Sequence, residues 1–530
     1  MHIQRIPFTE IPQFSHKDIA YATAHPALRP FYKYDVSADS FKQVIADKRK
    51  DQTDRALLVK VLQEQYANYD AGAKTLANID LLRHENTFTV TTAHQPCILT
   101  GPLYFIYKSF SAINLAETLN KAYPDCQFVP VFVLGAEDHD FEEISHAQLF
   151  GKKLQWECAE KGPVGKMSTA TLEPLLEELA TILGTSEKAQ EIMDLVRTAY
   201  TTHATFGAAT VHLVSKLFSA YGLIVFDMNH RDLKRKFAPI MRRELLEQPS
   251  KAMVETATAK LEAAGFSGQA HAREINLFYM REQLRERIVQ EGELYTVLNT
   301  DYVFTKAQLL EELEQHPEHF SPNVIMRPLY QECILPNVAY VGGGGEIAYW
   351  LERKAQFEFF GLNFPMLVRR NSVIWLDKGT TKRMEKLGLS IADLLEETEA
   401  LVRRYVQQHA SGELNLTEEK AGLEQLFEAI RLKTIEIDST LEKTVLAEAA
   451  KQLKSIEQLE DRLLRAEKQR HEVAINQLRA LREKLFPSNG LQERADNLLP
   501  YLLSYGATFF ETLKANLHPL ESGMVVISEE

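Results

Sequence analysis

The stretch that decides the fold is TFTVTTAHQPCILTGPLYFIYKSFSAINLAETLNKAYPDCQFVPVFVLGAEDHDFEE, residues 87–143. Residues 87–92 are all β-branched or aromatic, which favours a strand. Pro102 is typical of the first turn of a helix, and apolar residues then recur at helical spacing. The apolar run VPVFVLG, residues 129–135, predicts a second strand that is covered on both faces. The stretch therefore predicts a βαβ unit with parallel strands.

Polar residues follow both predicted strands. His94 and Gln95 end the first strand, and Asp138, His139 and Asp140 follow the second. The carboxyl ends of neighbouring parallel strands meet at one edge, where open α/β sheets bind ligands. We therefore expect the two histidines and the two aspartates to be catalytic and Gln95 to bind substrate. The alternative interpretation is a solvated acidic turn that caps the next segment.

Composition excludes several classes of protein. The chain has 530 residues and a net charge of −13, which argues against a general nucleic-acid or anionic-membrane binder. No apolar run approaches the roughly 20 residues of a membrane span, and the N-terminus lacks the apolar core of a signal peptide. We expect a cytoplasmic protein that acts on small molecules. Its four cysteines are scattered, so neither a disulfide framework nor a thiolate metal site is predicted.

A glycine-rich turn forms the second focal point, within SPNVIMRPLYQECILPNVAYVGGGGEIAYWLERK, residues 321–354. A short strand is predicted at 338–341, and four glycines lead into a helix. Such glycines let backbone N–H groups approach an anion, although a plain tight turn is the alternative. A further strand, FPMLVRR, would bring cationic contacts to the same edge. The candidate binding residues here are Gly342, Gly343, Gly345, Glu346, Arg369, Arg370 and Asn371.

The rest of the chain adds helices around this α/β core. GLIVFDMN, residues 222–229, predicts another buried strand, and a basic helix follows it. Residues 441–486 lack glycine and proline and carry apolar residues at 3/4 spacing, which predicts one long coiled-coil helix and a homodimer. The predicted domains are a Rossmann-like core at 1–380 with insertions near 151–220 and 250–320, an α-helical coiled-coil domain at 381–486, and a segment at 487–530 that packs back on the core.

Three motifs in this order resemble the bacillithiol biosynthesis cysteine-adding enzymes, a family of cysteine ligases. They are TAHQPCILTGPLYFIYK with GAEDHDFEE, then FSPNVIMRPLYQECILPNVAYVGGGGEIAYW, then LFPSNGLQERADN. The resemblance spans nearly the whole chain. It implies a Rossmann-like core resembling class I synthetases, a coiled-coil dimerisation domain, and addition of cysteine to glucosaminyl-malate as the last step of bacillithiol synthesis. It also makes Gly101, Tyr104 and Lys108 candidate binding residues.

Amide formation sets chemical requirements. The cysteine carboxylate must be activated, and the attacking ammonium must lose a proton to a base. His139, Asp138 or Asp140 would act as that base, and the glycine turn with Arg369 or Arg370 would bind an anion. The sequence leaves the cofactor open, and ATP or another nucleotide would suit the activation of a carboxylate.

Two other functions stay open on the sequence alone. Asp138, His139, Asp140, Glu143 and His146 are ligand types that a metal-dependent hydrolase would use. Strand geometry weakens this reading, since the two aspartates share a face only if His139 points away. We therefore predict no metal ligands. The third reading is a nucleotide-binding dimer scaffold without catalysis.

Overall fold

The computed structural model describes residues 1–410, 412 and 414–529. The chain forms two compact units. The larger unit contains residues 3–374 and 492–527, and the smaller contains the described parts of 1–2, 375–491 and 528–530.

The described strands are β1 (His2–Ile6), β2 (Thr87–His94), β3 (Gln127–Leu134), β4 (His146–Leu149), β5 (Lys152–Gln155), β6 (Ile224–Asp227), β7 (Leu277–Arg281), β8 (Leu284–Glu291), β9 (Leu294–Val297), β10 (Val303–Thr305), β11 (Phe320–Pro322), β12 (Asn337–Gly342), β13 (Met366–Arg369), β14 (Val373–Leu376) and β15 (Met524–Ser528). The helices before residue 375 are α1 (His16–Ala22), α2 (Phe41–Lys48), α3 (Arg55–Tyr66), α4 (Ala73–Leu81), α5 (Tyr104–Ala122), α6 (Phe141–Ile144), α7 (Glu173–Leu183), α8 (Glu187–Thr202), α9 (Phe206–Leu217), α10 (Arg231–Glu247), α11 (Pro249–Ala263), α12 (Lys306–Gln315), α13 (Arg327–Ile334), α14 (Gly344–Trp350) and α15 (Lys354–Phe360). The later helices are α16 (Lys378–Leu387), α17 (Ile391–Leu395), α18 (Thr398–His409), α19 (Thr417–Ile437), α20 (Glu442–Arg470), α21 (Glu472–Leu485), α22 (Leu499–Tyr505) and α23 (Ala507–Asn516).

A five-stranded parallel sheet forms the centre of the larger unit, in the order β13-β12-β2-β3-β6. The chain adds β3 and β6 on one side of β2 and then β12 and β13 on the other, which is the doubly wound arrangement. Strands β2 and β3 pair without a shift from Thr87 opposite Gln127 to His94 opposite Leu134. Both strands are buried almost throughout, as the apolar run predicted. The predicted Rossmann-like parallel core is confirmed.

The turn between β2 and α5 differs from the sequence expectation. The helix begins at Tyr104, two residues later than Pro102 indicated, because Leu99, Thr100 and Gly101 all have positive φ. The Asn497 side-chain amide donates to the carbonyl oxygens of Leu99 and Gly101, at 2.8 and 2.7 Å. This contact comes from nearly 400 residues away, so the local sequence could not indicate it.

An antiparallel sheet, ordered β10-β9-β8-β7-β11, follows α11 in the chain. Its five strands lie between Leu277 and Pro322. The hairpin β4-β5 precedes α7 and α8. A three-stranded sheet has the order β1-β15-β14.

The predicted single helix at 441–486 is wrong. It is two helices, α20 and α21, which meet at His471. The His471 ring contacts the rings of Tyr405 and His409 on α18, and α21 buries Leu478 and Leu481. The chain therefore ends one helix at His471 and begins another that packs within the smaller unit, although the sequence there has no residue that interrupts a helix. The helices α19 and α20 form an antiparallel pair, joined by ion pairs such as Lys420–Glu460 at 2.6 Å.

Among the described residues, no helix has the length and apolar character needed to cross a membrane.

Candidate active site

A cavity of about 450 Å³ lies at the carboxyl edge of the parallel sheet. Its wall contains residues from the ends of all five strands, among them His94, Asp138, Asp227, Gly343 and Arg370. Strands β2 and β12 flank the point at which the strand order reverses. Ligands of doubly wound folds bind at this point, so topology and cavity shape indicate the same site.

His94 is a neutral hydrogen-bonding group in the wall. Its Nδ1 lies 3.0 Å from the Gln95 carbonyl oxygen, which can only accept, so Nδ1 carries the proton. Its Nε2 therefore accepts from the Tyr104 hydroxyl at 2.8 Å. Burial, with the nearby Lys108 ammonium, lowers the pKa of His94 to about 4. His94 thus orients Tyr104 and stays uncharged at neutral pH.

This assignment predicts the titration of His94. The ring should remain neutral, with its proton on Nδ1, throughout pH 5 to 8, because protonation would bury a charge beside Lys108. Nitrogen-15 NMR of the imidazole would show this state directly. A His94 resonance that titrates near pH 6.5, the ordinary value, would contradict the assignment.

The glycine turn is occupied by the protein's own carboxylate. Glu346 Oε2 accepts from the Gly343 N–H at 2.9 Å and pairs with the Lys108 Nζ at 2.7 Å, and Oε1 accepts from the Tyr340 hydroxyl at 2.6 Å. Burial alone would raise the pKa of Glu346, but Lys108, Tyr340 and Gly343 hold it at about 2. Gly344 packs against the Asp18 carboxylate, which leaves no room for a side chain. The predicted anion cradle at Gly343 is therefore already filled.

Three of the arginines that line the cavity, Arg327, Arg370 and Arg494, are called the arginine side below. Arg370 is buried and pairs with Glu493 at 2.7 Å. Arg327 donates to the Tyr349 hydroxyl at 3.0 Å, and the exposed Arg494 lies 6.0 Å from the centre of the Tyr104 ring. All three arginines line the cavity.

Four carboxylates, Glu137, Asp138, Glu143 and Asp227, also line the cavity and are called the carboxylate side below. Glu137 pairs with the fully buried Lys234 at 2.6 Å, and Asp138, Glu143 and Asp227 also line the cavity. Burial raises the pKa of Asp227 to about 6; the Glu137 charge adds to this shift, and a hydrogen bond from the Asn229 N–H opposes it. Within the described chain, Asp227 has no ion pair. Its pKa lies near the range that suits a general base at neutral pH.

His139 lies outside the cavity wall and contacts one of the wall residues, Arg285. Its Nδ1 lies 2.6 Å from Arg285 Nη1, and a guanidinium can only donate, so Nδ1 is an acceptor. Burial and the Arg285 charge lower the pKa of His139. Arg285 also donates to the Ser321 hydroxyl at 3.0 Å and lines the cavity. His139 therefore holds the orientation of Arg285.

The sequence matches two parts of one family over almost the whole chain. These are the N-terminal Rossmann-like domain of bacillithiol biosynthesis BshC, at residues 1–371, and its C-terminal coiled-coil domain, at residues 373–529. The chain belongs to this family.

Curated relatives cover the full length of the chain. Proteins of Flavobacterium psychrophilum (40% identity, 98% of each chain), Flavobacterium johnsoniae (41% identity, 96% of each chain) and Christiangramia forsetii (37% identity, 99% of this chain and 98% of the relative) bear the name "Putative cysteine ligase BshC". A solved structure named as a putative arginyl-tRNA synthetase, from Campylobacter jejuni, aligns at 10% identity over 89% of this chain and all of the other. Its TM-score of 0.21 is too low to show a shared fold.

The structure brings about half of the predicted site residues together. Those in the cavity wall are His94, Gln95, Tyr104, Asp138, Gly343, Gly345, Glu346 and Arg370. His139 and Lys108 contact wall residues from behind, through Arg285 and Glu346.

Arg369, predicted as an anion contact, has a structural position instead. Its guanidinium pairs with both oxygens of Asp18, at 2.7 and 3.0 Å. It lies between the rings of Phe8 and Phe14, at 4.0 and 4.5 Å. Adjacent residues at a strand end point to opposite faces, so Arg370 reaches the cavity while Arg369 points away.

The other predicted residues outside the cavity wall are Gly101, Asp140, Gly342 and Asn371. Asp140 accepts a hydrogen bond from the Glu143 N–H and caps the short helix α6. For Asp140, the structure therefore matches the alternative interpretation, an acidic turn that caps the next segment. The Asn371 side-chain amide donates to the His518 carbonyl oxygen at 3.1 Å. These contacts give both residues structural positions.

Several wall residues were not predicted. Asp227 carried a usable signal, since it ends a buried strand as Asp138 follows one. Arg494 lies in the third family motif but was not singled out. Arg285 and Arg327 come from the antiparallel hairpin and from the start of α13, and no local pattern indicates that these elements reach the site.

Of the five donors proposed for a metal-dependent hydrolase, Asp138 and Glu143 line the cavity, but the five do not form a group with metal-ligand spacing among the described residues. Within the described residues, the group with metal-ligand spacing is His316, Glu318 and His319, and none of these lines the cavity. Arg281 donates to His319 Nε2 at 2.8 Å, and Arg231 lies 3.5 Å from Glu318. The geometry of the cavity therefore does not favour the hydrolase reading.

Proposed function

We propose that this cavity joins L-cysteine to glucosaminyl-malate, the last step of bacillithiol biosynthesis, in the cytoplasm. The observation that carries the proposal is that arginines and carboxylates line the same cavity. Glucosaminyl-malate carries the complementary groups, an amine on the sugar and two carboxylates on the malate. The relatives named as cysteine ligases support the reaction type.

The arginine side would bind the malate. Planar guanidinium groups hold carboxylates through paired hydrogen bonds, and Arg327 and Arg494 have no carboxylate partner among the described ion pairs. Arg370 is fixed by Glu493 and adds positive charge at the same wall. Binding the malate here would direct the sugar amine towards the ends of β3 and β6.

Asp227 would act as the general base. The amine is an ammonium ion at neutral pH, and it must lose a proton before its nitrogen can attack. Asp227 takes that proton, the nitrogen forms a bond to the activated cysteine carbonyl carbon, and the activating group leaves with the electrons of its bond. The nitrogen then loses its second proton to solvent, which gives the amide. ATP or another nucleotide would supply that group, in a separate step. Asp138 and Glu137 would hold the ammonium electrostatically.

Product formation tests this proposal. Purified protein is incubated with glucosaminyl-malate and cysteine, with and without ATP, and the products are detected by mass spectrometry. We expect the amide that contains the cysteine thiol, and glucosaminyl-malate acetylated on its amine should give none. Absence of product with every nucleoside triphosphate would contradict the proposed reaction.

We also propose a homodimer through the smaller unit. Large apolar side chains remain exposed on α19 and α20, including Leu426, Leu446 and Leu459, each at least half exposed. A second copy would bury them. Light scattering should give twice the 60.4 kDa chain mass.

A matched pair of variants tests the interface. Leu446→Glu with Leu459→Glu should give a monomer, because each substitution would place a charge in the apolar contact. Leu294→Glu, at an exposed leucine on β9, should remain dimeric. A wild-type monomer, or a dimer that survives the double substitution, would exclude this interface.

A further inference from the structure

Glu346 is held rigidly where it meets the cavity. Lys108, Tyr340 and the Gly343 N–H each contact its carboxylate within 2.9 Å. Lys108 is fully buried and also donates to the Ala93 carbonyl oxygen at 2.5 Å. The carboxylate is therefore fixed in place and in its ionised form before any ligand arrives.

The same carboxylate still faces the cavity. The Glu346 side chain is 26% exposed and forms part of the wall. A carboxylate has about four lone-pair directions, and three are used by the protein. The remaining direction can accept one hydrogen bond from a ligand. An ammonium or hydroxyl group satisfies it, whereas a phosphate or carboxylate would be repelled.

We propose that Glu346 is a specificity-determining residue, whose carboxylate selects a hydrogen-bond donor of the substrate at this wall and repels phosphate and carboxylate groups. The proposal rests on the proposed function only for the identity of the substrate. It follows that the glycine turn takes no external phosphate, although glycine turns of Rossmann folds commonly do. The negative groups of the substrate must then contact the arginines at a position away from the Glu346 carboxylate.

The variant Glu346→Gln tests this selection by calorimetry on the full chain. It keeps the size of the side chain but leaves the Lys108 charge unbalanced. The buried Arg370 Nε, which has no hydrogen-bond partner within the described chain, lies beside the same turn. Inorganic phosphate should bind this variant at least about tenfold more tightly than the wild type. Glucosaminyl-malate should bind about tenfold or more weakly, and malate alone no more weakly.

The controls separate this inference from the proposed function. Glu358→Gln, at an exposed glutamate on α15, should leave all three affinities unchanged. If the wild type binds no glucosaminyl-malate, the proposed function fails, and the phosphate comparison alone decides the inference. Unchanged phosphate affinity in Glu346→Gln, or equal losses for glucosaminyl-malate and malate, would overturn it. If Glu346→Gln does not fold, Lys108→Met with Glu346→Gln removes both charges and should weaken glucosaminyl-malate binding relative to malate.

Discussion

Replacing Asp227 with asparagine should lower kcat for amide formation by roughly 10²- to 10⁴-fold, the usual contribution of a general base. Asparagine keeps the shape of the side chain but cannot take a proton. In the wild type, activity should rise with pH through the pKa of Asp227, about 6, because only the ionised carboxylate is a base. That acidic limb should be absent from the residual activity of the variant. Rates of product formation between pH 5 and 8 measure both effects.

Thermal stability distinguishes a catalytic role of Asp227 from a structural one. The folded-state pKa of Asp227 is raised, so its contribution to stability is fully present below the ordinary aspartate pKa and is lost as pH rises through about 6. Asp227→Asn should therefore melt at or above the wild-type temperature at pH 8. Asp232→Asn, at a half-buried aspartate on α10 that does not line the cavity, is the matched control and should keep its turnover. A Glu143→Gln variant that loses the acidic limb while Asp227→Asn keeps it would move the base to Glu143.

Glu493→Ala should destabilise the protein by about 3–5 kcal/mol, because it leaves the Arg370 guanidinium buried without its partner. The two side chains are 1% and 4% exposed and pair at 2.7 Å. Glu493 also accepts hydrogen bonds from the Ser372 hydroxyl and the Val373 N–H, which would lose their acceptor. Urea denaturation measures the free energy of unfolding.

An exposed ion pair of similar length provides the control. Glu521 lies 2.8 Å from Arg5 but is 58% exposed, so Glu521→Ala should change the free energy of unfolding by less than about 1 kcal/mol. Equal losses for the two variants would show that burial does not govern the Glu493 pair. A loss below about 1 kcal/mol for Glu493→Ala would contradict the account of Arg370.

The sequence predicted what depends on local pattern and on sheet topology. Strands β2 and β3 could be placed because apolar runs and their polar ends are local. His94 and Asp138 could be brought together because parallel strands align their carboxyl ends. The same reasoning placed Arg370 at the cavity. That Arg369 points to the opposite face could not be predicted, because it depends on the register of β13.

What could not be predicted depends on distant contacts. Glu346 contacts the Gly343 N–H and Tyr340 locally, but its ion pair with Lys108 comes from the distant helix α5. Arg285 enters the wall through the fold of an antiparallel hairpin, and Asn497 shapes the β2-α5 turn from the far end of the chain. The break at His471 reflects packing against α18 rather than any residue that disfavours helix.

The central claim is that one cavity, at the point where the strand order reverses, holds glucosaminyl-malate in a single orientation. A crystal structure of the protein with glucosaminyl-malate tests it most directly. The account predicts the malate carboxylates within hydrogen-bond distance of Arg327 or Arg494, and the sugar amine within reach of Asp227. Glucosaminyl-malate bound outside this cavity, or with its malate at the carboxylate side, would contradict it.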